Sequence, residues 1–387
     1  MNKDIERKIL FLILLLIMLF PLLQQNFHFI ESGRLMGAII NAEDVNFSIN
    51  TWWNSSYQQK KNAFLNDNTG CRPDMVRVNN QLDYWLFKKV HANNVVVGRD
   101  NYLYERAYIE EYCGMDFVGE ARLRKEILMV KKIQDTLEHL GKTFVFLYAP
   151  SKAHYYSEMT PDYYRNLNHT HETNYKVVKR LCDSIGINQI DFNGWFMSIK
   201  DNSKNLLFSR QGTHWTVYGS LIAADSFIKY LEIKRHEKLP ELHWKEIEFS
   251  NKPRRSDDDI LAALNLIFEY KNDIFSYPKY YYDTDSTRSR PTAIYIGDSF
   301  IRRWAEDDLM HNIHKDWDFW YYFQERWNEK SVYWDVSSGS MQGYDWKSAL
   351  LKTDCLIFMD NPENFKGLGD ELSCFKQIYD FLYPTRI

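Results

Sequence analysis

The segment 121–149 constrains the fold of this chain most strongly, because it joins an amphipathic helix to a fully apolar strand. Apolar residues recur at helical spacing over Ala121–Leu140, and Gly141 is placed to end that helix. Thr143–Ala149 follows as a continuous apolar run, which is typical of a strand covered on both faces in a parallel sheet. A chain built around such a unit is expected to form an α/β layered fold.

The same alternation of helix and strand continues along the chain. Helices are predicted at Asn174–Ser184 and Thr216–Leu231. Four further strands are predicted, at Gln189–Phe192, Thr292–Ile296, Val332–Val336 and Cys355–Met359. This order predicts a doubly wound parallel sheet with flanking helices, and the active site of such a sheet lies at the carboxyl ends of its strands.

The N-terminus predicts where the chain is located. Three basic residues precede an unbroken apolar run over Ile9–Leu23, and no charged residue follows until Glu31. We interpret 1–8 as a cytoplasmic tip and 9–29 as a transmembrane signal-anchor, so that the positive-inside rule sends the remainder to the periplasmic or extracellular side. A cleaved signal peptide is the alternative, although no small-x-small cleavage site follows the apolar run.

Beyond the anchor, the composition predicts two parts. Residues 30–94 are polar and irregular, and we interpret them as a stalk with a lead-in helix around Arg77–His91. Residues 95–387 form one catalytic domain, in which the charged and tyrosine-rich segment 240–291 is an insertion or lid.

Composition excludes some classes of function. The net charge of −4 argues against a protein that binds nucleic acid through a basic surface. The five cysteines show no zinc-ligand spacing, so no metal site is predicted, whereas one or two disulfides remain open. The 26 Tyr, 24 Phe and 12 Trp fit either a large core or the handling of carbohydrate.

Ser299 and His214 offer the most concrete chemistry in the sequence. Ser299 follows the strand Thr292–Ile296 in a Gly-Asp-Ser turn, and His214 precedes Trp215 at the start of a helix. A serine needs a base to act as a nucleophile near neutral pH, and histidine is the usual base. The alternatives are a serine that only caps a helix and a histidine that only fills an amphipathic niche.

The residues around Ser299 have predicted supporting roles. Asp298 is expected to brace the turn through its own side chain. Backbone N–H groups near Ser299 and Phe300, at the start of a helix, are expected to stabilise an oxyanion.

Four short segments in order resemble the alginate O-acetyltransferase family of AlgX and AlgJ, whose catalytic domain belongs to the SGNH hydrolase superfamily. They cover about residues 75 to 365 and are Val97–Tyr104, Ala149–Lys152, Gly212–Trp215 and Gly297–Phe300. The resemblance implies an exported, membrane-tethered enzyme with an SGNH-like domain that moves acetyl groups onto polysaccharide hydroxyls. It implies no bound cofactor, with acetyl groups supplied by a multi-pass membrane O-acyltransferase.

The resemblance leaves one catalytic position open. In the family, an aspartate stands two residues before the histidine, but the residue at that position here is Gly212. Either the site works as a Ser–His dyad, or the carboxylate comes from Asp191, Asp360 or Glu363.

Other roles and functions also remain open at this stage. Lys152 is interpreted as a structural or rim residue, with a catalytic role as the alternative. A part for Asn361 and Glu363 in shaping the pocket is a further option. An acetyl-esterase and a non-catalytic polysaccharide-binding scaffold remain alternatives to the transferase.

Overall fold

The computed structural model describes residues 3–37, 41–167, 171–268, 273–283, 285–329 and 339–384. The predicted strand Val332–Val336 lies outside these described residues. The chain divides into two compact units, one of residues 1–93 with 261–270 and the other of residues 94–260 with 271–387.

The first unit is helical. Its helices are α1 Lys3–Phe27, α2 Ile49–Trp53, α3 Ser56–Asn68 and α4 Arg72–Phe87. Within α1, the 24 residues Asp4–Phe27 are long and apolar enough to cross a membrane, and nearly all of them are exposed. This helix contains most of the predicted span 9–29.

The second unit is an α/β domain. Its strands are β1 Val95–Val97, β2 Leu103–Glu105, β3 Thr143–Tyr148, β4 Gln189–Asp191, β5 Leu242–Ser250, β6 Phe275–Tyr282, β7 Ala293–Gly297, β8 Trp317–Tyr321, β9 Glu325–Trp327, β10 Gly339–Ser340 and β11 Cys355–Asp360. Its helices are α5 Arg106–Tyr112, α6 Glu120–His139, α7 Lys152–Tyr155, α8 Asp162–Arg165, α9 Asn174–Ile185, α10 Phe192–Ile199, α11 Val217–Arg235, α13 Ser299–Glu306, α14 Leu309–Ile313, α15 Trp346–Lys352 and α16 Cys374–Leu382. Helix α12, Asp259–Ala263, spans the point in the sequence where the two units meet.

A seven-stranded sheet in the order β10-β9-β8-β7-β11-β3-β4 forms the centre of this domain. Strands β8, β7, β11, β3 and β4 are parallel, whereas β9 is antiparallel to both β8 and β10. The α/β class predicted from the sequence is confirmed, and the sheet is mixed at one edge rather than wholly parallel.

Helices cover both faces of the sheet, which explains why its strands are continuously apolar. Helices α10, α11 and α13 pack on the face that receives Val145 and Leu147 of β3. Helices α6, α9 and α16 pack on the opposite face, which receives Phe144 and Phe146. Burial on both faces replaces the alternating pattern of a half-exposed strand.

The strand register brings the candidate site residues to the carboxyl edge of the sheet. Gly297 at the end of β7 pairs with Met359 of β11 on one side and Tyr321 of β8 on the other. The Gly-Asp-Ser turn therefore leaves the sheet beside Asp360, in the position expected for the active site of an open α/β sheet.

The segment 240–291 contains a hairpin that the sequence did not predict. Strands β5 and β6 pair antiparallel from Leu242 and Tyr282 to Ser250 and Phe275. The described residues between these two strands include 257–260, which return to the carboxyl edge of the central sheet.

Candidate active site

The serine turn is fixed by the backbone on both sides of Ser299. Gly297 has a φ of 154°, and a Cβ atom there would overlap the carbonyl oxygen of Met359 on the neighbouring strand, so only glycine fits. Asp298 caps helix α13, because its Oδ1 atom accepts a hydrogen bond from the N–H of Phe300 at 2.9 Å. Its Oδ2 atom accepts from the N–H of Asn361 at 2.7 Å, which attaches the turn to the end of β11.

His214 lies between a hydroxyl and a carboxylate. Its Nε2 atom is 2.6 Å from Oγ of Ser299, and its Nδ1 atom is 2.5 Å from Oδ2 of Asp259. An ionised carboxylate only accepts hydrogen bonds, so we assign the ring proton to Nδ1 and the lone pair to Nε2. This tautomer can take the proton of the serine hydroxyl, as a general base must.

Asp259 is held in place by backbone donors. Its Oδ1 atom accepts hydrogen bonds from the N–H groups of Thr213 at 2.8 Å and Ile260 at 2.9 Å. Burial raises the pKa of Asp259, but attraction to His214 and these hydrogen bonds together lower it by more than burial raises it. The net pKa therefore lies below its usual value. Asp259 is therefore ionised near neutral pH.

The pKa of His214 shifts in the opposite direction. Burial lowers this pKa, but the charge of Asp259 and the hydrogen bond to its carboxylate together raise it by more than burial lowers it. The net pKa therefore lies above the usual value for histidine. The neutral ring is consequently a stronger base than a free imidazole.

The structure corrects the predicted source of the third acid, because none of Asp191, Asp360 and Glu363 occupies the position beside Nδ1 of His214. Asp191 instead caps helix α10 and accepts from Gly194 N at 2.8 Å. Burial, with the nearby charges of Asp298 and Glu363, raises the pKa of Asp360 well above its usual range. Glu363 accepts from Lys366 at 2.5 Å.

Asp259 is the site residue that sequence reasoning missed. The run of three aspartates at 257–259 was visible in the sequence, but Asp259 falls 45 residues after His214 inside the predicted insertion. Only the folded chain shows that one carboxylate of this run reaches the imidazole.

Gly212 has a steric reason for being glycine. A Cβ atom at this position would lie 2.6 Å from the carbonyl oxygen of Asp257 and 2.9 Å from Oγ of Ser209, closer than atoms pack without displacement. The segment that carries Asp259 therefore occupies the space that a side chain at position 212 would need.

The predicted oxyanion donors are only partly supported. The N–H of Phe300 already donates to the Asp298 carboxylate at 2.9 Å, so its assignment as an oxyanion donor is corrected. The N–H of Ser299 lies in the first turn of α13, where no earlier helix carbonyl can accept it. This N–H and the helix terminus are the groups that can stabilise an oxyanion at the serine.

Lys152 holds the loop that carries the histidine. It is buried, and its Nζ atom donates to the carbonyl oxygens of Leu103 at 2.6 Å, Arg210 at 2.7 Å and Gly212 at 2.9 Å. Burial lowers the pKa of Lys152 to about 7. Because its three donors are used within the protein, the structural interpretation of Lys152 fits and the rim interpretation does not.

Three further polar contacts lie at the serine turn, the histidine loop and the adjoining strand ends. Glu105 accepts from the hydroxyl of Thr213 at 2.8 Å, and burial raises the pKa of Glu105. Tyr322 donates its N–H to the carbonyl of Gly297 at 2.9 Å, directly before the serine turn. Asn361, which sequence analysis placed at the pocket, donates its side-chain amide to Pro150 at 3.0 Å and so joins two strand ends.

The arrangement is suited to acyl transfer. Ser299 and His214 are both partly exposed, so a carbonyl group can approach Oγ while the base stays in contact with it.

All five cysteines are free thiols, so the open question of disulfides is answered in the negative for this structure.

Residues 95–290 match the family model described as "SGNH hydrolase-like domain, acetyltransferase AlgX". The matched range contains His214 and Asp259 and ends before Ser299. No curated protein matches the chain.

The solved structures that are similar to the chain at low identity include three proteins. The O-acetyltransferase domain of Pseudomonas putida AlgJ is 17% identical, with 70% of this chain and 92% of that chain covered and a TM-score of 0.46. Pseudomonas aeruginosa AlgX is 13% identical, with coverages of 71% and 67% and a TM-score of 0.42. Bacillus cereus PatB1 is 8% identical, with coverages of 64% and 91% and a TM-score of 0.39.

The match to the AlgX family model carries the assignment of the chain to a family. That match covers just over half of the chain. The chain belongs to the family of SGNH hydrolase-like acetyltransferase domains of AlgX.

Proposed function

We propose that this protein transfers acetyl groups to hydroxyls of an exported polysaccharide through an acetyl ester on Ser299. The observation that carries the proposal is the chain of contacts from Asp259 through His214 to the Ser299 hydroxyl, at 2.5 and 2.6 Å. Membership of an acetyltransferase family supports acetyl as the group that is moved.

The first half-reaction forms the acetyl-enzyme. Oγ of Ser299 attacks the acetyl carbonyl carbon of a donor ester while Nε2 of His214 takes the hydroxyl proton. The negative oxygen that results lies at the start of α13, near the N–H of Ser299. Collapse of this intermediate breaks the bond to the donor oxygen, which leaves with the proton from His214.

The second half-reaction reverses these roles with a sugar hydroxyl as the nucleophile. His214 takes the proton of the sugar hydroxyl as its oxygen attacks the acetyl carbon. The bond to Oγ of Ser299 then breaks, and the proton returns to the serine. Asp259 keeps its negative charge throughout and stabilises the imidazolium that forms in each half.

The location and the acetyl source belong to the same proposal. Helix α1 anchors the protein as a single-pass membrane protein, with residues 30–387 on the periplasmic or extracellular side; its length and apolar character support this topology. A multi-pass membrane O-acyltransferase supplies the acetyl groups, and no cofactor is bound by this chain. The acceptor is a cell-surface or exported polysaccharide.

Acetyl transfer by the purified full chain tests the proposal. The chain is incubated with p-nitrophenyl acetate and neutral oligosaccharides, and acetylated sugar is measured by mass spectrometry beside free acetate. We expect acetylated sugar from the wild type and none above background from Ser299→Ala. Free acetate alone at saturating acceptor would assign the chain as an acetyl-esterase, and neither product would favour a non-catalytic scaffold.

A further inference from the structure

Asp257 forms a buried ion pair with the helix that begins at the candidate nucleophile. Its Oδ1 atom lies 2.9 Å from Nη2 of Arg303, and the two side chains are 0% and 1% exposed. Arg303 lies on α13, one helical turn after Ser299, whereas Asp257 lies two residues before Asp259. The pair therefore joins the segment that carries the acid to the helix that carries the serine.

Asp257 is also bonded to the hairpin and to the histidine loop. Its Oδ2 atom accepts from the hydroxyl of Tyr277 on β6 at 2.7 Å. Its backbone carbonyl accepts from Oγ of Ser209 at 2.5 Å, and the same Oγ accepts from the N–H of Gly212 at 2.7 Å. One residue thus contacts the nucleophile helix, the β5–β6 hairpin and the loop that leads to His214.

Arg303 has fewer other partners than Asp257 has, so it depends more on this ion pair. Within the described residues, Nε and Nη1 of Arg303 are buried without a hydrogen-bond partner. The ion pair with Asp257 is therefore the direct contact of its charge, and the nearby Asp307 carboxylate also attracts that charge. A buried charge is tolerated only when it is paired. The structure therefore keeps Asp257 against Arg303, and chain connectivity carries this constraint over two residues to Asp259.

Three separate parts of the chain must meet to place Asp259, His214 and Ser299 within hydrogen-bond distance. A displacement of about 1 Å between catalytic groups costs about 10²-fold in rate. A segment inserted in the sequence far from both partners needs a contact that sets this distance.

We propose that the Asp257–Arg303 pair is the positioning device that sets Asp259 against Nδ1 of His214. Both residues act through Asp259 and do not touch the substrate. The inference rests on the proposed roles of Ser299, His214 and Asp259, but not on the identity of the group transferred.

A sulfonyl fluoride tests this inference without an acetyl donor or acceptor. Phenylmethylsulfonyl fluoride forms a bond between Oγ of the serine and sulfur, fluoride leaves, and His214 takes the serine proton. The rate of Ser299 modification in the full detergent-solubilised chain is followed by mass spectrometry as a function of pH. Because the reaction needs neutral His214, the rate rises with pH through the pKa of that histidine.

Asp257→Asn and Arg303→Met are the test variants. We expect each to lower the rate of Ser299 modification by about tenfold or more. We also expect the midpoint of the pH profile to fall, since a displaced Asp259 no longer raises the pKa of His214. The other carboxyls near the ring, Asp298 and Glu105, remain in both variants.

Two further variants keep the test interpretable. Arg303→Lys retains the charge and can still donate to Asp257, so its midpoint is expected between those of Arg303→Met and the wild type. This variant decides the matter if the test variants do not fold. Arg302→Met is the matched control, because Arg302 pairs with Glu306 within its own helix at 2.9 Å. Its modification rate is expected to stay within about twofold of the wild type and its pH midpoint to be unchanged, because exposed ion pairs contribute little.

The outcomes separate positioning from simple stabilisation. A folded Asp257→Asn with a lower melting temperature but an unchanged pH midpoint and rate would overturn the inference. A wild type that is sulfonylated at Ser299 yet transfers no acetyl group would contradict the proposed function. The positioning role of the Asp257–Arg303 pair could still be tested by the same sulfonylation rates.

Discussion

At the scale of single residues, His214 is the centre of the site because it contacts a hydroxyl on one ring nitrogen and a carboxylate on the other. The chemistry requires only that an acceptor lie at Nδ1, and it is indifferent to where in the sequence that acceptor originates. Asp259 meets the requirement at 2.5 Å from a position 45 residues after the histidine. Because Asp259 supplies the acceptor, no acid is needed at position 212, where the resemblance to the family predicts one.

Asp259→Asn tests this assignment. The variant keeps the shape of the side chain but favours the wrong tautomer of His214, so we expect kcat to fall by about 10²–10⁴-fold. The carboxylate raises the pKa of His214, and the rate rises with pH as the ring becomes neutral. Without the carboxylate, the midpoint of that rise therefore moves to lower pH, which a pH profile of kcat/KM measures.

Asp191→Asn is the matched control for this variant. Asp191 caps helix α10 and accepts from the hydroxyl of Tyr175 at 2.8 Å, and asparagine caps helices about as well as aspartate. We expect its rate and pH midpoint to match the wild type. A loss of rate equal to that of Asp259→Asn would show that the assignment of the acid is wrong.

Lys152→Met tests how the histidine loop is held. The change removes three hydrogen bonds and leaves the carbonyls of Leu103, Arg210 and Gly212 without this donor. The carbonyl of Arg210 keeps the N–H of Leu103 as a donor at 2.8 Å, so only the carbonyls of Leu103 and Gly212 are left unsatisfied. Each buried acceptor left unsatisfied costs about 1–3 kcal/mol, so we expect a loss of about 2 kcal/mol or more in the free energy of unfolding. Urea denaturation measures it, and a loss below about 1 kcal/mol would contradict the role of Lys152.

At the scale of elements, the strands and helices at the centre of the domain could be predicted, because burial leaves a periodic signal. The strand Thr143–Tyr148 and the helix Glu120–His139 lie within one residue of their predicted bounds. Strand β8, Trp317–Tyr321, was missed because Asp318 interrupts its aromatic run. The β5–β6 hairpin was missed because most residues of β5 are polar or exposed.

The contact between Asp259 and His214 could not be predicted for a different reason. Periodicity reports which face of an element is buried, but it carries no information on which loop reaches a given side chain. Several carboxylates stood at plausible strand ends, and Asp191 and Asp360 were reasonable choices on that ground. The packing of Asp257 against Gly212 brings Asp259, and not one of these carboxylates, to His214. This packing is a tertiary contact, which periodicity does not report.

Gly212→Asp in the Asp259→Asn background tests that packing. An aspartate at the position used by the family would restore the rate if position and residue type alone mattered. We expect no rescue, because its Cβ atom would lie 2.6 Å from the Asp257 carbonyl oxygen. A return of the rate to within about tenfold of the wild type would contradict the steric account.

Gly212→Ala measures the same crowding as stability. Forcing a methyl group into a filled space costs about 1–3 kcal/mol, and we expect a decrease of that size in the free energy of unfolding. Gly339→Ala is the control, because the nearest atom to a Cβ there is the Arg326 carbonyl oxygen at 3.9 Å. Equal effects of the two changes would contradict the account.

At the scale of the whole molecule, the chain combines one helix able to cross a membrane with an acetyltransferase domain of the AlgX family. In the proposed topology, this helix would hold the domain at a raised local concentration near the proposed membrane-bound acetyl source. The apolar helix could be predicted from the sequence, because the run Ile9–Leu23 is long and carries no charge. That this helix anchors the protein stays a prediction.

Deletion of residues 1–29 tests the role of the anchor. We expect the shortened protein, exported behind a cleavable signal, to appear in the soluble fraction. It should retain acetyl transfer to soluble oligosaccharides and lose most acetylation of the polymer in cells. Full polymer acetylation by the soluble form would show that the tether has no part in the function.

The direct detection of acetyl-Ser299 tests the central claim. The full chain is mixed with p-nitrophenyl acetate, quenched in acid within its first turnover and digested, and the peptides are mapped by mass spectrometry. We expect one acetyl group on Ser299 that disappears when an oligosaccharide acceptor is added, and none in Ser299→Ala or His214→Ala. Acetylated oligosaccharide formed at the wild-type rate by Ser299→Ala, or formed with no acetyl group on Ser299, would contradict the mechanism.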